Sequence, residues 1–145
     1  MDRFLQAAYD EAQKGLVEGG IPIGAVLVIN GNIVAKGHNQ RMQKGSSILH
    51  AEMDCLEHAG RLKAVDYQSA TLYTTLSPCD MCSGAVLLYK IPKIVIGENL
   101  TFQGPEAYLV ARGIELVIVN NQQCIDMMRS FIATSPALWN EDIGE

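Results

Sequence analysis

The sequence predicts an α/β fold: a three-layer α/β/α sandwich around one mixed five-stranded sheet, with helices on both faces. Apolar residues recur at helical spacing near the N-terminus, and short β-rich runs alternate with helical segments along the rest of the chain. Between the first two β-rich runs, Asn30-Gly31 is a tight hairpin signal. The 145 residues, 48% of them hydrophobic, fit a single domain over 1–145.

The N-terminal half is predicted to hold a helix, a β-hairpin and a second helix. The first helix rests on one apolar stripe and ends at Gly19-Gly20; the stripe consists of Phe4, Leu5, Ala8, Ala12 and Leu16. The hairpin pairs β-rich runs at 23–29 and 33–37. A polar loop over 38–47 then leads into a helix over about 50–60.

The C-terminal half is predicted to alternate strands and helices. The predicted elements are a strand over 71–75, a helix with Pro78 in its first turn that runs to about Tyr89, strands over 93–97 and 114–119, a helix over 122–133 and an acidic tail. The long connection between the last two strands, with 105–112 helical, favours a parallel crossover over a hairpin.

Charge and composition favour a small, neutral substrate. The net charge is −5, from 11 basic and 16 acidic residues, and no basic stripe is present to bind a nucleic acid. An acid at position 2 and the lack of an apolar leader argue against a signal peptide, and no apolar run is long enough to span a membrane. We therefore expect a cytoplasmic protein with no nucleic-acid or membrane partner.

Two short motifs carry the chemistry. His50-Ala51-Glu52 reads H-x-E, and the segment from Pro78 to Cys82 reads P-C-x-x-C, which together are the signature of zinc deaminases. Zinc prefers imidazole and thiolate ligands, and a catalytic site leaves its fourth position to water. His50, Cys79 and Cys82 are therefore the predicted ligands. A helix start at the Cys-x-x-Cys pair also lowers the thiol pKa.

Glu52 is predicted to be the general acid and base rather than a ligand, because it follows His50 closely enough to reach water on the metal. A redox Cys-x-x-Cys or a structural four-ligand zinc site are the alternatives. Possible fourth ligands are Cys55, His58, Cys124 and His38. A structural site has no use for Glu52, so the catalytic reading is preferred.

Nearly the whole chain resembles the fungal-type cytosine deaminases of the cytidine deaminase superfamily. The matching stretches are Glu18-Gly-Gly-Ile-Pro-Ile-Gly24, Gly37-His-Asn39, Gln43-Lys-Gly45, the run from Thr71 to Cys82, Gly97-Glu-Asn99 and the run from Trp139 to Glu145. The acidic tail with its tryptophan is more specific to this branch than the zinc motif is. The resemblance implies zinc-dependent hydrolysis of free cytosine to uracil and ammonia, in pyrimidine salvage, by a homodimer.

The resemblance also implies how the base is held. The Asn39 amide would bind the O2/N1 edge, the Ala51 N–H would meet the carbonyl oxygen, and the Ser77 carbonyl would accept from the amino group. Ile23, Phe102 and Trp139 would be apolar walls, with Asp142 facing the amino group and His50. The alternatives are ordinary core packing for Phe102 and Trp139, and a solvated tail charge for Asp142.

Two other substrate classes, purine bases and tRNA adenosine, are compatible with the same zinc motifs. Alanine at position 51 departs from the glycine of the fungal enzymes and matches tRNA adenosine deaminases and bacterial guanine deaminases, so a guanine or other purine deaminase is the alternative. A tRNA adenosine deaminase is less favoured, because residues 122–145 hold one arginine against five carboxylates, the C-terminal one included. Apolar residues on more than one face of the helix after Cys79 also favour a homodimer; they are Ala85, Val86, Leu87, Leu88 and Ile91.

Overall fold

The computed structural model describes all 145 residues. Its elements in chain order are α1 (Arg3–Val17), β1 (Gly24–Ile29), β2 (Asn32–His38), α2 (Arg41–Lys44), α3 (Ala51–Ala59), α4 (Ala64–Tyr67), β3 (Ala70–Thr74), α5 (Asp80–Tyr89), β4 (Lys93–Ile96), α6 (Glu106–Ala111), β5 (Glu115–Ile118), α7 (Gln122–Thr134) and α8 (Pro136–Asp142). A helix that could span a membrane is absent, since none combines the necessary length with sufficient apolar character.

The five strands form one mixed sheet in the order β2-β1-β3-β4-β5. β1 pairs antiparallel with both β2 and β3, whereas β3–β4 and β4–β5 are parallel. Asn30 and Gly31 both have positive φ, which the tight hairpin between β1 and β2 requires. Both the predicted hairpin and the predicted parallel crossover are confirmed.

Strand β1 shows why helices are needed on both faces of the sheet. Alternate side chains of a strand point to opposite faces. Val26 and Val28 pack against α1 in a small core cluster, and Ala25 and Leu27 belong to the main cluster with residues of α3, α5, α7 and α8. The predicted three-layer arrangement is therefore confirmed, and the two zinc-motif helices α3 and α5 both contribute to the main core cluster.

Three short elements differ from the predictions. The loop over 38–47 contains α2, which ends at Gly45 in a left-handed conformation, and α4 was not predicted. The acidic tail forms α8, with Pro136 in its first turn. Pro78 lies before α5 rather than in its first turn, because Cys79 is the extended N-cap residue whose carbonyl accepts the Ser83 N–H.

Candidate active site

The N-termini of α3 and α5 bring the three predicted zinc ligands together. His50 is the N-cap of α3, Cys79 is the N-cap of α5, and Cys82 lies in the first turn of α5. Their ligand atoms lie within 4.8 Å of one another, and His50 Nδ1 is 3.3 Å from Cys79 Sγ and 3.8 Å from Cys82 Sγ. One imidazole and two thiols form a donor set that suits zinc and leaves a fourth position open.

The two cysteines shift each other's pKa in opposite directions. Hydrogen bonds from Cys82 and then His50 lower the pKa of Cys79 to about 4, although its burial opposes this shift. The same bond with Cys79, together with burial, raises the pKa of Cys82. The lowered pKa of Cys79 favours its thiolate, which is the form that binds zinc.

No fourth protein ligand joins these three residues. His38 is buried between Glu11 and Glu18, with its ring nitrogens 3.1 and 2.8 Å from their carboxylate oxygens. The Cys55 thiol donates to a β2 carbonyl, and His58 lies exposed at the end of α3 with its Nδ1 facing another β2 carbonyl. The remaining cysteine, Cys124, packs on α7 beneath Gly97. This arrangement fits a catalytic zinc site better than a structural one.

Glu52 is buried in the first turn of α3 and lines the same cavity as His50 and Cys79. Burial raises the pKa of this carboxyl to about 7, and the negative charge on Cys79 adds to the shift, against the smaller opposing effect of His50. A carboxyl group with a pKa near neutrality both accepts and returns protons readily. Its position and its pKa therefore support the predicted acid–base role.

A narrow cavity lies beside the three predicted zinc ligands and is smaller than the other four main cavities of the chain. Its wall includes five predicted substrate contacts together with two residues that the sequence did not single out. The lining residues are Ile23, His50, Glu52, Leu76, Ser77, Cys79, Phe102, Trp139, Asp142 and Ile143. Phe102 and Trp139 meet edge to face with their centroids 5.9 Å apart, so α8 and the loop after β4 close one side together.

The structure does not bring Asn39 and Ala51 to the cavity wall, although both are fully buried beside it. The Asn39 amide donates to both carboxylate oxygens of Asp142, at 3.1 and 3.2 Å, and accepts the Arg41 backbone N–H at 3.0 Å. Asn39 therefore touches the site through Asp142. Its predicted contact with a base, like that of Ala51, remains a prediction.

Asp142 is 5% exposed, so it is not a solvated tail charge. The backbone carbonyl of Asp142 lies 3.1 Å from His50 Nε2, and one of its carboxylate oxygens lies 3.5 Å away. An N–H at Nε2 leaves Nδ1 facing the two sulfurs, which is the orientation that a metal-binding histidine needs. Burial opposes ionisation of Asp142, but hydrogen bonds from His50, Asn39 and Arg41 outweigh it and keep its pKa low.

Two buried glutamates that the sequence reading missed organise the loop after β4. Glu98 accepts the backbone N–H groups of Leu100 and Thr101, at 2.8 and 2.9 Å. Glu106 accepts the Ser77 hydroxyl at 2.6 Å and the Asn99 amide at 3.1 Å. These bonds hold the loop that carries Phe102 against Ser77. Acidic residues are usually solvated, so the sequence alone carried no signal for this role.

Comparisons with known proteins agree with this geometry. Residues 1–98 match the family model described as the cytidine and deoxycytidylate deaminase zinc-binding region. A cytosine deaminase from Candida albicans is 52% identical over 142 residues, covering 97% of this chain and 95% of the relative. A tRNA-specific adenosine deaminase from Bacillus subtilis is 47% identical over 95 residues, covering 65% of this chain and 59% of the relative.

The fold has close structural neighbours as well. A solved structure of guanine deaminase from Nitrosomonas europaea matches 90% of this chain and 83% of that chain, with a TM-score of 0.73. Its sequence identity is 20%, so this likeness concerns the fold alone.

Proposed function

Since the chain belongs to the zinc-dependent cytidine and deoxycytidylate deaminase family, we propose that it hydrolyses free cytosine to uracil and ammonia. The observation that carries this proposal is the placement of Glu52 in one narrow cavity with two of the three predicted zinc ligands. Similarity to a cytosine deaminase along almost the whole length of both chains supports the choice of cytosine. The smaller coverage of the tRNA-specific relatives gives the adenosine alternative less support.

The chain's own residues would divide the reaction among them. His50, Cys79 and Cys82 would hold the zinc ion, which lowers the pKa of a bound water and so supplies a nucleophile near neutral pH. Glu52 takes a proton from the attacking water and delivers it to the ring nitrogen beside the carbon under attack. Oxygen from water then replaces the amino group, which leaves as ammonia.

Binding groups around the cavity would orient the ring for this step. The Ser77 carbonyl accepts a hydrogen bond from the amino group, and Asp142 faces the same group. Ile23, Phe102 and Trp139 enclose the flat faces of the ring, which excludes water and strengthens the electrostatic interactions inside. Because α8 contributes to the same cavity as α3 and α5, we propose that the whole chain acts as one domain.

We predict that the protein turns over cytosine and discriminates strongly against cytidine. We expect the contact between Phe102 and Trp139, with Asp142 beside it, to exclude a ribose attached to the ring. Measuring kcat/KM for both compounds by the ultraviolet change on deamination tests this. We expect kcat/KM to be at least about 100-fold higher for cytosine, because a misplaced substrate typically loses about this much in rate. Equal turnover of cytidine would show that the cavity does not select the free base.

We also propose that the protein is a homodimer. Val86 and Ile91 are buried in the core, but Leu88 is 70% exposed, with exposed Val65 and Tyr89 also on α4 and α5. Sedimentation at micromolar concentration should give about twice the 15.8 kDa chain mass. Leu88→Glu should shift the protein to monomer, because it places a charge in an apolar contact. Val17→Glu, at an apolar residue exposed on α1, is the matched control and should stay dimeric.

A clean monomer of the unaltered chain at that concentration would rule out the dimer. Loss of the dimer in both variants would show that the effect of Leu88→Glu is not local to α4 and α5.

A further inference from the structure

Arg41 binds the C-terminal helix that closes the cavity. Its guanidinium makes a bidentate ion pair with Glu141, with N–O distances of 2.6 and 2.7 Å, and Nη1 donates to Asp142 Oδ1 at 3.2 Å. The Arg41 Nε donates to the Ser47 carbonyl at 3.0 Å, which fixes the side chain to its own loop. Its side chain is 14% exposed, so most of this arrangement is withdrawn from solvent.

The same residue also orients the other polar group beside the cavity. The Arg41 backbone N–H donates to Asn39 Oδ1, and the Asn39 amide nitrogen then points to the carboxylate of Asp142. Asn39, Arg41 and Asp142 therefore form one connected network that joins the end of β2, α2 and α8. Arg41 itself does not line the cavity, so it acts on the site only through these partners.

The ion pair between Arg41 and Glu141 is not sufficient by itself to hold α8 in place. Glu141 is 61% exposed at its side chain, and exposed ion pairs contribute little because water screens them. The buried carboxylate of Asp142 is different, since a buried charge depends on donors that hold it in place. Arg41 and Asn39 supply three of those donor contacts from the body of the protein, while Asp142 lies on α8.

We propose that Arg41 is a positioning residue that keeps α8 closed over the cavity and the Asp142 carboxylate directed at the substrate. This inference rests on the proposed function for its substrate, and on the geometry of the network for the closure of α8. The sequence motifs contain no hint of it, because position 41 lies in a segment predicted to be a polar loop.

Trp139 provides a direct reporter of the closure, because it is the only tryptophan of the chain and lies on α8. At temperatures well below melting, acrylamide should quench the fluorescence of Trp139 more strongly in Arg41→Gln than in the unaltered protein. We expect kcat/KM for cytosine to fall about 10- to 100-fold, mainly through KM, as for the loss of a hydrogen bond to a charged group. Zinc content should stay unchanged.

Three further variants refine the test. Arg41→Lys keeps the charge but loses the planar fork, so it should recover part of the lost activity. Glu141→Gln removes only the exposed partner and should cost less than Arg41→Gln. Lys44→Gln removes an exposed positive charge from the same short helix and should leave both quenching and kinetics unchanged.

Unchanged quenching and unchanged kcat/KM in Arg41→Gln would overturn the inference. A loss of activity that follows a loss of zinc or a lower melting temperature, with quenching unchanged, would overturn it too, because Arg41 would then only support the fold. If the unaltered protein fails to deaminate cytosine, the proposed function is wrong, and the quenching experiment still decides whether Arg41 holds α8 closed.

Discussion

Replacing Glu52 by Gln is expected to leave zinc bound and to remove nearly all deaminase activity. The amide has almost the shape of the carboxylate, so the cavity should keep its form, but it cannot carry a proton from water to the ring nitrogen. General acid–base catalysis contributes on the order of 10²- to 10⁴-fold, and a loss of at least this size is expected in kcat. Metal analysis and steady-state kinetics on the same preparation measure both effects.

Glu57→Gln is the matched control for this substitution, because Glu57 is an exposed glutamate on the same helix and should tolerate the change without loss. If Glu52→Gln or Glu52→Ala lost its zinc stoichiometrically, Glu52 would be a metal ligand. The division of roles between Glu52 and the His50, Cys79 and Cys82 set would then be wrong.

Ending the chain after Thr134, the last residue of α7, should leave a folded, zinc-binding protein with very little activity. The truncation removes α8, and with it Trp139 from the wall and Asp142 from its contact with His50. Misplacing positioned groups costs about 100-fold in rate, and here two are lost. The melting temperature should also fall, since Trp139 is part of the main core.

The point variant Trp139→Ala separates the loss of the wall from general unfolding, because it keeps Asp142 and the rest of α8. Thermal unfolding and steady-state kinetics should be measured on both variants. Full kcat with an unchanged KM in the truncated protein would show that the tail does not close the site. Trp139 and Asp142 would then have no part in substrate binding.

Local signals in the sequence were enough to predict the framework of the fold. The Asn30-Gly31 turn fixed the hairpin, because only that backbone conformation suits the twist of the two strands. The length of the connection after β4 separated a parallel crossover from a hairpin in the same way. The short helices α4 and α8 were not predicted, because four to seven residues carry too little periodicity to distinguish a helix from a loop.

The sequence predicted the zinc site better than the network around it. His50, Glu52, Cys79 and Cys82 lie in two compact motifs, whose spacing follows from the geometry of two helix starts. Arg41 meets its partners Glu141 and Asp142 only through the fold, across separations of 100 and 101 positions. No local sequence pattern predicts such a contact. The burial of Glu98 and Glu106 could not be predicted from the sequence either.

The resemblance placed Asn39 and Ala51 against the substrate, whereas the structure shows both beside the cavity rather than on its wall. Their backbone positions follow from the strand end and the helix start that the motifs define. The direction of the Asn39 amide depends on Asp142 and Arg41, which reach it from distant parts of the chain. Side-chain direction of this kind follows from tertiary contacts, so it lies beyond sequence patterns.

The most direct test of the central proposal is kcat/KM for free cytosine and for guanine, measured as ammonia release by one zinc-loaded preparation. Phe102 and Trp139 meet on one side of a narrow cavity, and guanine would bring a second ring into that space. We predict efficient conversion of cytosine to uracil and little or no ammonia from guanine. Equal or better turnover of guanine would contradict it and would identify the chain as a purine deaminase with the same zinc chemistry.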